Sequence, residues 1–215
     1  MNIGKYNVVI ACGGKGSRLR EISNNTPKPL YPIAGKSTLE RCLEQLIKND
    51  LNDILITTSF KSNIFKTYIE KFKKKLNLRI DTYFEKIPMG ECGSLWEVKD
   101  NLSENFIFIN GDLIFSIDFK RFINFHERLK SKITLVTHTS DHPKDSDLIS
   151  SPNGYLIEDI FSKNKIKQFN KNAYLGNAGI FLINREVLNI IDRPDNLKCY
   201  SVFHYLIDKI FEKKN

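Results

Sequence analysis

Gly13, Gly14 and Gly16 fall within four positions directly after the apolar run Val8–Cys12, and Lys15, Arg18 and Arg20 follow. Glycine lets the backbone approach an anion closely, and successive N–H groups there form an anion-binding nest. Basic side chains next to such a nest suit a polyphosphate. Further along, Thr26-Pro27-Lys28-Pro29-Leu30-Tyr31-Pro32 sets Lys28 between two prolines. Proline fixes its own φ and restricts its predecessor, so Lys28 is carried on a stiff segment and loses less entropy on holding a phosphate. The chemistry these residues suggest is phosphate positioning.

Two better-known phosphate motifs do not fit. A dinucleotide fingerprint started at Gly14 meets Leu19 where glycine or alanine is required. Gly35-Lys36-Ser37 ends like a P-loop, but Leu30 stands where its first glycine belongs. Ser37 or Thr38 is better placed to cap the helix that follows.

The elements that position these residues follow from periodicity. Asn7–Cys12, Ile54–Thr58, Leu78–Phe84, Phe106–Ile109 and Ile133–Thr137 read as strands. Thr38–Asn49, Lys61–Lys75 and Asp118–Leu129 read as helices, the last capped by Asp118. Alternation of this kind indicates an α/β fold with a Rossmann-like, mostly parallel central sheet flanked by helices. From about Asp147 the pattern changes. Tyr155–Phe161, Ile166–Phe169 and Ala178–Ile183 suggest short strands with turns at Pro152-Asn153-Gly154 and Asn170–Asn172, a small antiparallel part that covers the substrate. Arg185–Ile191 and Tyr200–Phe211 read as closing helices. No linker or repeat divides the chain, so one domain over residues 1–215 is expected.

Taken in order, the motifs resemble a known family. Gly13-Gly14-x-Gly16-x-Arg18-Leu19, Pro27-Lys28-Pro29 and Pro32-x-x-Gly35-Lys36 are similar to the signature of the sugar-1-phosphate nucleotidyltransferases, or nucleotide-sugar pyrophosphorylases. Pro88-Met89-Gly90-Glu91-Cys92-Gly93-Ser94-Leu95 resembles their second nucleotide-contacting loop, where threonine usually stands in place of Glu91. Asn110-Gly111-Asp112 resembles their metal-binding turn, and Asn177-Ala178-Gly179 their sugar-binding strand.

The resemblance implies roles. Cys12, Gly13, Gly14, Gly16, Ser17, Gly90 and Gly93 are expected to contact the nucleotide, with Arg18 on the β and γ phosphates and Lys28 on the α-phosphate. Asp112 is expected to bind Mg²⁺. Asn110, Lys171, Asn177 and Gly179 are expected on the sugar-phosphate side, although Asn170 and Asn172 replace the glutamate and proline that flank the family's lysine. Glu85 offers carboxylate acceptors for guanine N1–H and amino groups. The second acidic metal contact of the family lies near its C-terminal end, where this chain carries Asp208 as a substitute candidate.

The segment His142-Pro143-x-Asp145-Ser146-Asp147 resembles heptose or mannose 1-phosphate guanylyltransferases, so GTP and a sugar 1-phosphate are the favoured substrates. Alternatives stay open: CTP, UTP or dTTP, a non-sugar phosphate acceptor, or a regulatory subunit that has lost catalysis. A homodimer and a separate sugar-phosphate phosphatase are also left open.

Composition is consistent with these expectations. The chain has 215 residues, 41% of them hydrophobic, and carries net charge +8. That charge comes without a zinc-finger, RNP or basic-zipper signature, which argues against a nucleic-acid partner. No run approaches the roughly 20 apolar residues of a membrane span, and the apolar run at the N-terminus is too short for a secretory signal. Cys12, Cys42, Cys92 and Cys199 lack metal-ligand spacing and are expected as reduced core thiols, consistent with a cytoplasmic setting. His138 and His142 with Asp141, Asp145 and Asp147 read as a polar loop before a metal centre, and Trp96 as a core residue.

Overall fold

A computed structural model of the chain describes residues 2–14, 26–59, 62–76, 79–140, 147–161, 174–193, 195 and 201–213. Strands β1 (Val8–Ala11), β4 (Asp53–Thr58), β5 (Arg79–Phe84) and β6 (Asn105–Asn110) form a parallel block in the order β5-β4-β1-β6. Helices α1 (Thr38–Lys48) and α2 (Ser62–Leu76) come between the first of these strands in sequence. β2 (Pro32–Ile33) and β3 (Lys36–Ser37) make a small separate hairpin. Its turn residues Ala34 and Gly35 both have positive φ, as a tight two-residue hairpin requires.

On the other side of β6 the sheet turns antiparallel. β10 (Tyr174–Asn184) pairs with β6 through its C-terminal half and with β8 (Leu148–Ser150) through its N-terminal end. β7 (Ile133–Thr139) lines its opposite edge, and β9 (Asp159–Phe161) extends β8. The Rossmann-like class is therefore present, with the antiparallel part in the C-terminal half.

Alternation along the strands builds a core on each face. Val8 and Ile10 of β1, with Ile107 and Ile109 of β6, pack beneath α1, α2 and α4 (Phe119–Leu129). Val9, Phe106 and Phe108 face the opposite core. That core is closed by the short α3 (Leu95–Val98), α5 (Val187–Ile190) and the C-terminal segment. Cys12, Cys42 and Cys92 are buried free thiols, as expected, and Cys199 lies outside the described residues. Trp96 is partly buried, donates from Nε1 to Ile191 O at 3.2 Å and meets Tyr205 edge-on at 5.8 Å, a packing role.

Caps agree with the reading of the sequence. Ser37 accepts the Glu40 N–H at 3.1 Å and Asp118 accepts the Arg121 N–H at 3.0 Å. The second half differs in detail. The expected strand Tyr155–Phe161 forms only over Asp159–Phe161, because Asn153 Oδ1 accepts the N–H groups of both Tyr155 and Leu156 at 2.9 Å and curls the chain. β10 is longer than expected, since Gly176, Asn177 and Gly179 hide its alternation. The closing helix begins as a π-helical turn, Val202–Ile207, and continues as α6 (Asp208–Glu212). Ile166–Phe169 and the Asn170–Asn172 turn lie outside the described residues. Among the described residues no helix is long and apolar enough to cross a membrane.

Candidate active site

The carboxyl ends of β1, β4, β5 and β6 converge on one edge of the parallel block, where ligands sit in such sheets. Cys12 continues β1 and donates its N–H to Thr57 O at 2.7 Å. Gly13 follows, its carbonyl accepting the Ser59 hydroxyl at 2.9 Å. A Cβ at Gly13 would lie 3.2 Å from Ser59 Oγ and 3.6 Å from Glu85 Oε2, so the Glu85 carboxylate stands beside this glycine. A Cβ at Gly14, which is exposed among the described residues, would have none of their atoms within 4 Å. Gly16, Ser17 and Arg18 lie outside the described residues.

Asp112 arrives from β6 through a turn that tolerates no side chain at 111. The Gly111 N–H donates to Ala11 O at 2.9 Å, and a Cβ there would be 2.5 Å from Cys12 Sγ. Lys28 arrives from the proline segment, which forms a 3-10 turn, Lys28–Leu30. The two meet: Lys28 Nζ donates to Asp112 Oδ2 across 84 residues of chain. Thr38 holds both segments together. Its buried hydroxyl lies 3.0 Å from Gly111 O and 3.2 Å from Pro29 O, so it bridges the residues next to Asp112 and Lys28. Sequence reasoning saw Thr38 only as a possible cap; its bridging role depends on a contact with no local signal.

Glu85 closes the β5 side. It is 7% exposed, its N–H donates to Thr58 O at 2.9 Å, and its Oε2 accepts the Met89 N–H at 3.4 Å. Burial pushes its pKa above the usual carboxylate value, partly offset by the Met89 N–H and by the neighbouring Ser94 and Ser59 hydroxyls. The following loop is tightly built. Gly90 has φ +77°, and a Cβ at Gly93 would lie 2.2 Å from Met89 Cβ. The close approach that demands glycine at 93 is thus to Met89 of the same loop.

Asn110 and Gly179 are neighbours on β6 and β10. Gly179 has φ +74°, and a Cβ there would be 2.9 Å from Asn110 Nδ2. Asn177 Oδ1 accepts the Gly179 N–H at 2.9 Å, within the bulge where pairing with β7 shifts register. This leaves the Asn177 amide NH₂ to donate elsewhere. Asn110 Oδ1 is buried without a hydrogen-bond partner among the described residues, an acceptor beside the Asp112 turn. Lys171 lies outside the described residues.

Asp208 lies on the C-terminal helical segment with Oδ2 3.9 Å from His204 Nδ1. Among the described residues no three His, Cys, Asp or Glu side chains form a ready metal cage. His138 is exposed, with Nδ1 2.7 Å from Thr139 O, while Asp141, His142 and Asp145 lie outside the described residues.

Comparisons with known proteins bear on the chain as a whole. Residues 7–214 match the family model described as nucleotidyl transferase. The chain is 28% identical over 199 residues to a mannose-1-phosphate guanyltransferase of Saccharomyces cerevisiae, covering 88% of this chain and 53% of the relative. It thus spans about half the length of the curated relatives it matches. HddC from Yersinia pseudotuberculosis, solved in complex with GMP-PN, shares 26% identity and a TM-score of 0.72, covering 92% of this chain and 83% of that one. The inositol-1-phosphate CTP transferase of T. maritima is similar in fold, with TM-score 0.75 at 19% identity over 98% of this chain and 82% of that one.

Proposed function

Because the chain belongs to the nucleotidyl transferase family, we propose that it joins a nucleoside triphosphate to a sugar 1-phosphate, releasing pyrophosphate and forming a nucleoside diphosphate sugar. The observation that carries this reading is the meeting of Lys28 and Asp112 at the carboxyl edge of the sheet, where the Gly111 turn abuts Ala11 and Cys12 at the end of β1. A cation and a carboxylate brought to one point at the end of β1, where Gly13 and Gly14 follow, suit a triphosphate and its counter-ion.

The acceptor's charge sets the chemistry. A sugar 1-phosphate is largely dianionic at pH 7, its second pKa being about 6. Its oxygen is already a nucleophile, so no general base is required of the protein. The barrier lies in repulsion between two polyanions and in charge gathering on the leaving pyrophosphate. Lys28 offsets both at the α-phosphate, with Arg18 reading as its counterpart on the β and γ phosphates. The backbone of Gly13 and Gly14 lets the nucleotide approach closely, and Asn110 and Asn177 offer an acceptor and a donor for sugar hydroxyls.

Asp112 fits a divalent cation. Its carboxylate is partly exposed at the edge, and Mg²⁺ characteristically takes one or two carboxylates and completes its shell with phosphate oxygens and water. When bound there, Mg²⁺ supplies neutralisation of triphosphate charge. Asp208 is the second candidate ligand from this chain.

GTP is the favoured nucleotide. Support comes from the guanyltransferase relatives, from the relative solved with GMP-PN, and from Glu85, whose buried acceptors beside Gly13 suit guanine's N1–H and amino group. Mannose or D-glycero-D-manno-heptose 1-phosphate is the favoured acceptor, giving a GDP-sugar for surface polysaccharide. The test is pyrophosphate release with Mg²⁺, each of GTP, ATP, CTP, UTP and dTTP, and a panel of sugar 1-phosphates. Turnover with GTP and one of these two acceptors is expected, and folded protein that releases pyrophosphate with no pair overturns the reading.

A further inference from the structure

Glu91 stands where the resembling family usually has threonine, and its surroundings tie two distant parts of the chain together. It lies between Gly90 and Cys92, in the loop that follows Glu85 and leads into α3. Its partly buried carboxylate accepts the backbone N–H of Val202, the first residue of the C-terminal helical segment. That N–H is among the donors a helix start leaves without an internal partner. Ser201 satisfies another, its hydroxyl accepting the His204 N–H at 3.0 Å. The helix start is thus capped twice, once by its own serine and once by a carboxylate from the loop. A carboxylate at a helix N-terminus is also favoured by the helix dipole.

A second tie lies one turn further on. His204 Nε2 is 3.0 Å from Asp147 Oδ2, at the beginning of β8, and His204 Nδ1 is 3.9 Å from Asp208 Oδ2. Asp147 O in turn accepts the Asn177 N–H at 3.3 Å. Beneath these polar contacts Val202, Phe203 and Leu206 are buried in the same core as Cys92 and Leu95. The helical segment is fixed to the Glu91 loop on one side and to the Asp147–Asn177 region on the other.

We propose that Glu91 and His204 are positioning residues: they seat the C-terminal helical segment so that it holds the Pro88–Ser94 loop and the Asn177 bulge in register with each other. The nucleotide part of this inference rests on the function proposed above, in which that loop borders the nucleotide. The segment from Ser201 onward then tunes nucleotide affinity through the loop's backbone, and Glu91 acts as a hydrogen-bond acceptor there.

The test uses the full chain with Glu91→Ala, Glu91→Gln and His204→Ala, read by amide hydrogen exchange and by kinetics. In Glu91→Ala, exchange should accelerate at Val202 and across residues 88–94. KM for GTP should rise on the order of fivefold, the size of one lost cap, with kcat within about twofold. Glu91→Gln, whose amide oxygen accepts the same N–H, should restore most of both effects. His204→Ala, at an exposed side chain that threatens folding less, should accelerate exchange over residues 201–208 and the neighbouring loop. Unchanged exchange over 88–94 in both alanine variants, with thermal unfolding still cooperative, overturns the proposal. So does a Glu91→Gln variant whose KM for GTP rises as far as that of Glu91→Ala, since Glu91 then acts by its charge and not as a hydrogen-bond acceptor. Exchange is read without turnover, so absence of nucleotidyl transfer refutes the proposed function and leaves the coupling to be decided on its own.

Discussion

Lys28 Nζ donates to the Asp112 carboxylate across 84 residues of chain, at the point where β1 and β6 end side by side. Both side chains are partly exposed, 44% and 34%, so the pair contributes little to stability. Its meaning is positional. Removing one group should therefore spare the fold and damage the chemistry. Lys28→Ala is expected to lower kcat by on the order of 10²–10³, the usual loss for one electrostatic contact to a transition state. Cooperative thermal unfolding at a near-unchanged temperature should accompany that loss. A variant equally active, or one simply unfolded, would count against the role given to Lys28.

Thr38 is the joint behind that pair. Replacing it by valine keeps the volume and removes the hydroxyl shared by Gly111 O and Pro29 O. Two buried carbonyls then lose a donor, at a cost of about 1–3 kcal/mol in stability. Activity should fall further than the loss of folded protein explains, because the Lys28 and Asp112 segments are no longer tied. Thr38→Ser should retain most of both. Denaturant unfolding beside kcat on the same samples separates the two effects.

Glu85 predicts base preference. Glutamine keeps the shape but presents one acceptor where guanine's two donors need two. Glu85→Gln should raise KM for GTP roughly tenfold or more, as expected when a buried polar partner is lost, and narrow the gap to other nucleotides. A profile over the five triphosphates identical to that of the parent would remove Glu85 from base recognition.

His126 predicts acid sensitivity. It is 2% exposed, with Nδ1 2.8 Å from Thr134 Oγ1 and Nε2 3.2 Å from Asn105 Oδ1. The Asn105 oxygen accepts, so Nε2 carries the hydrogen and Nδ1 accepts from Thr134. Burial lowers its pKa from 6.5 to about 4. The unfolded chain therefore binds this proton before the folded one does, and stability rises with pH across that interval. The contribution is fully present above pH 6.5 and is lost as pH falls toward about 4, on the order of 1–3 kcal/mol. His126→Asn should be less stable at neutral pH and lose less on acidification. Urea midpoints at several pH values between 7 and 4.5 read this directly; a slope equal to that of the parent contradicts it.

The parallel block was legible in the residues because its strands are continuous apolar runs and its helices carry apolar stripes and serine or aspartate caps. Ser37 and Asp118 cap as their types suggest. Lys28 stood out in the residues, set between stiff prolines, and Asp112 stood out through the resemblance of Asn110-Gly111-Asp112, but that the two side chains pair is visible only once the chain is folded. The joint at Thr38 was hidden, since one hydroxyl among many reveals nothing of two carbonyls it will meet. The antiparallel half was harder for a related reason. Side chains there speak to backbone, as Asn153 does to Tyr155 and Leu156 and Asn177 does to Gly179, and such contacts override alternation. Glu91 is the clearest example: its type differs from the resembling loop, but its partner, Val202, is visible only once the chain is folded.

Nucleotidyl transfer itself is tested most directly by following phosphorus. GTP labelled at the α-phosphorus, incubated with the protein, Mg²⁺ and mannose or D-glycero-D-manno-heptose 1-phosphate, should deliver its label into a GDP-sugar. GTP labelled at the γ-phosphorus should deliver its label into pyrophosphate, with both transfers lost in Lys28→Ala. Label from the γ position in the sugar product, or from neither position in any product while the protein is folded, would contradict the account.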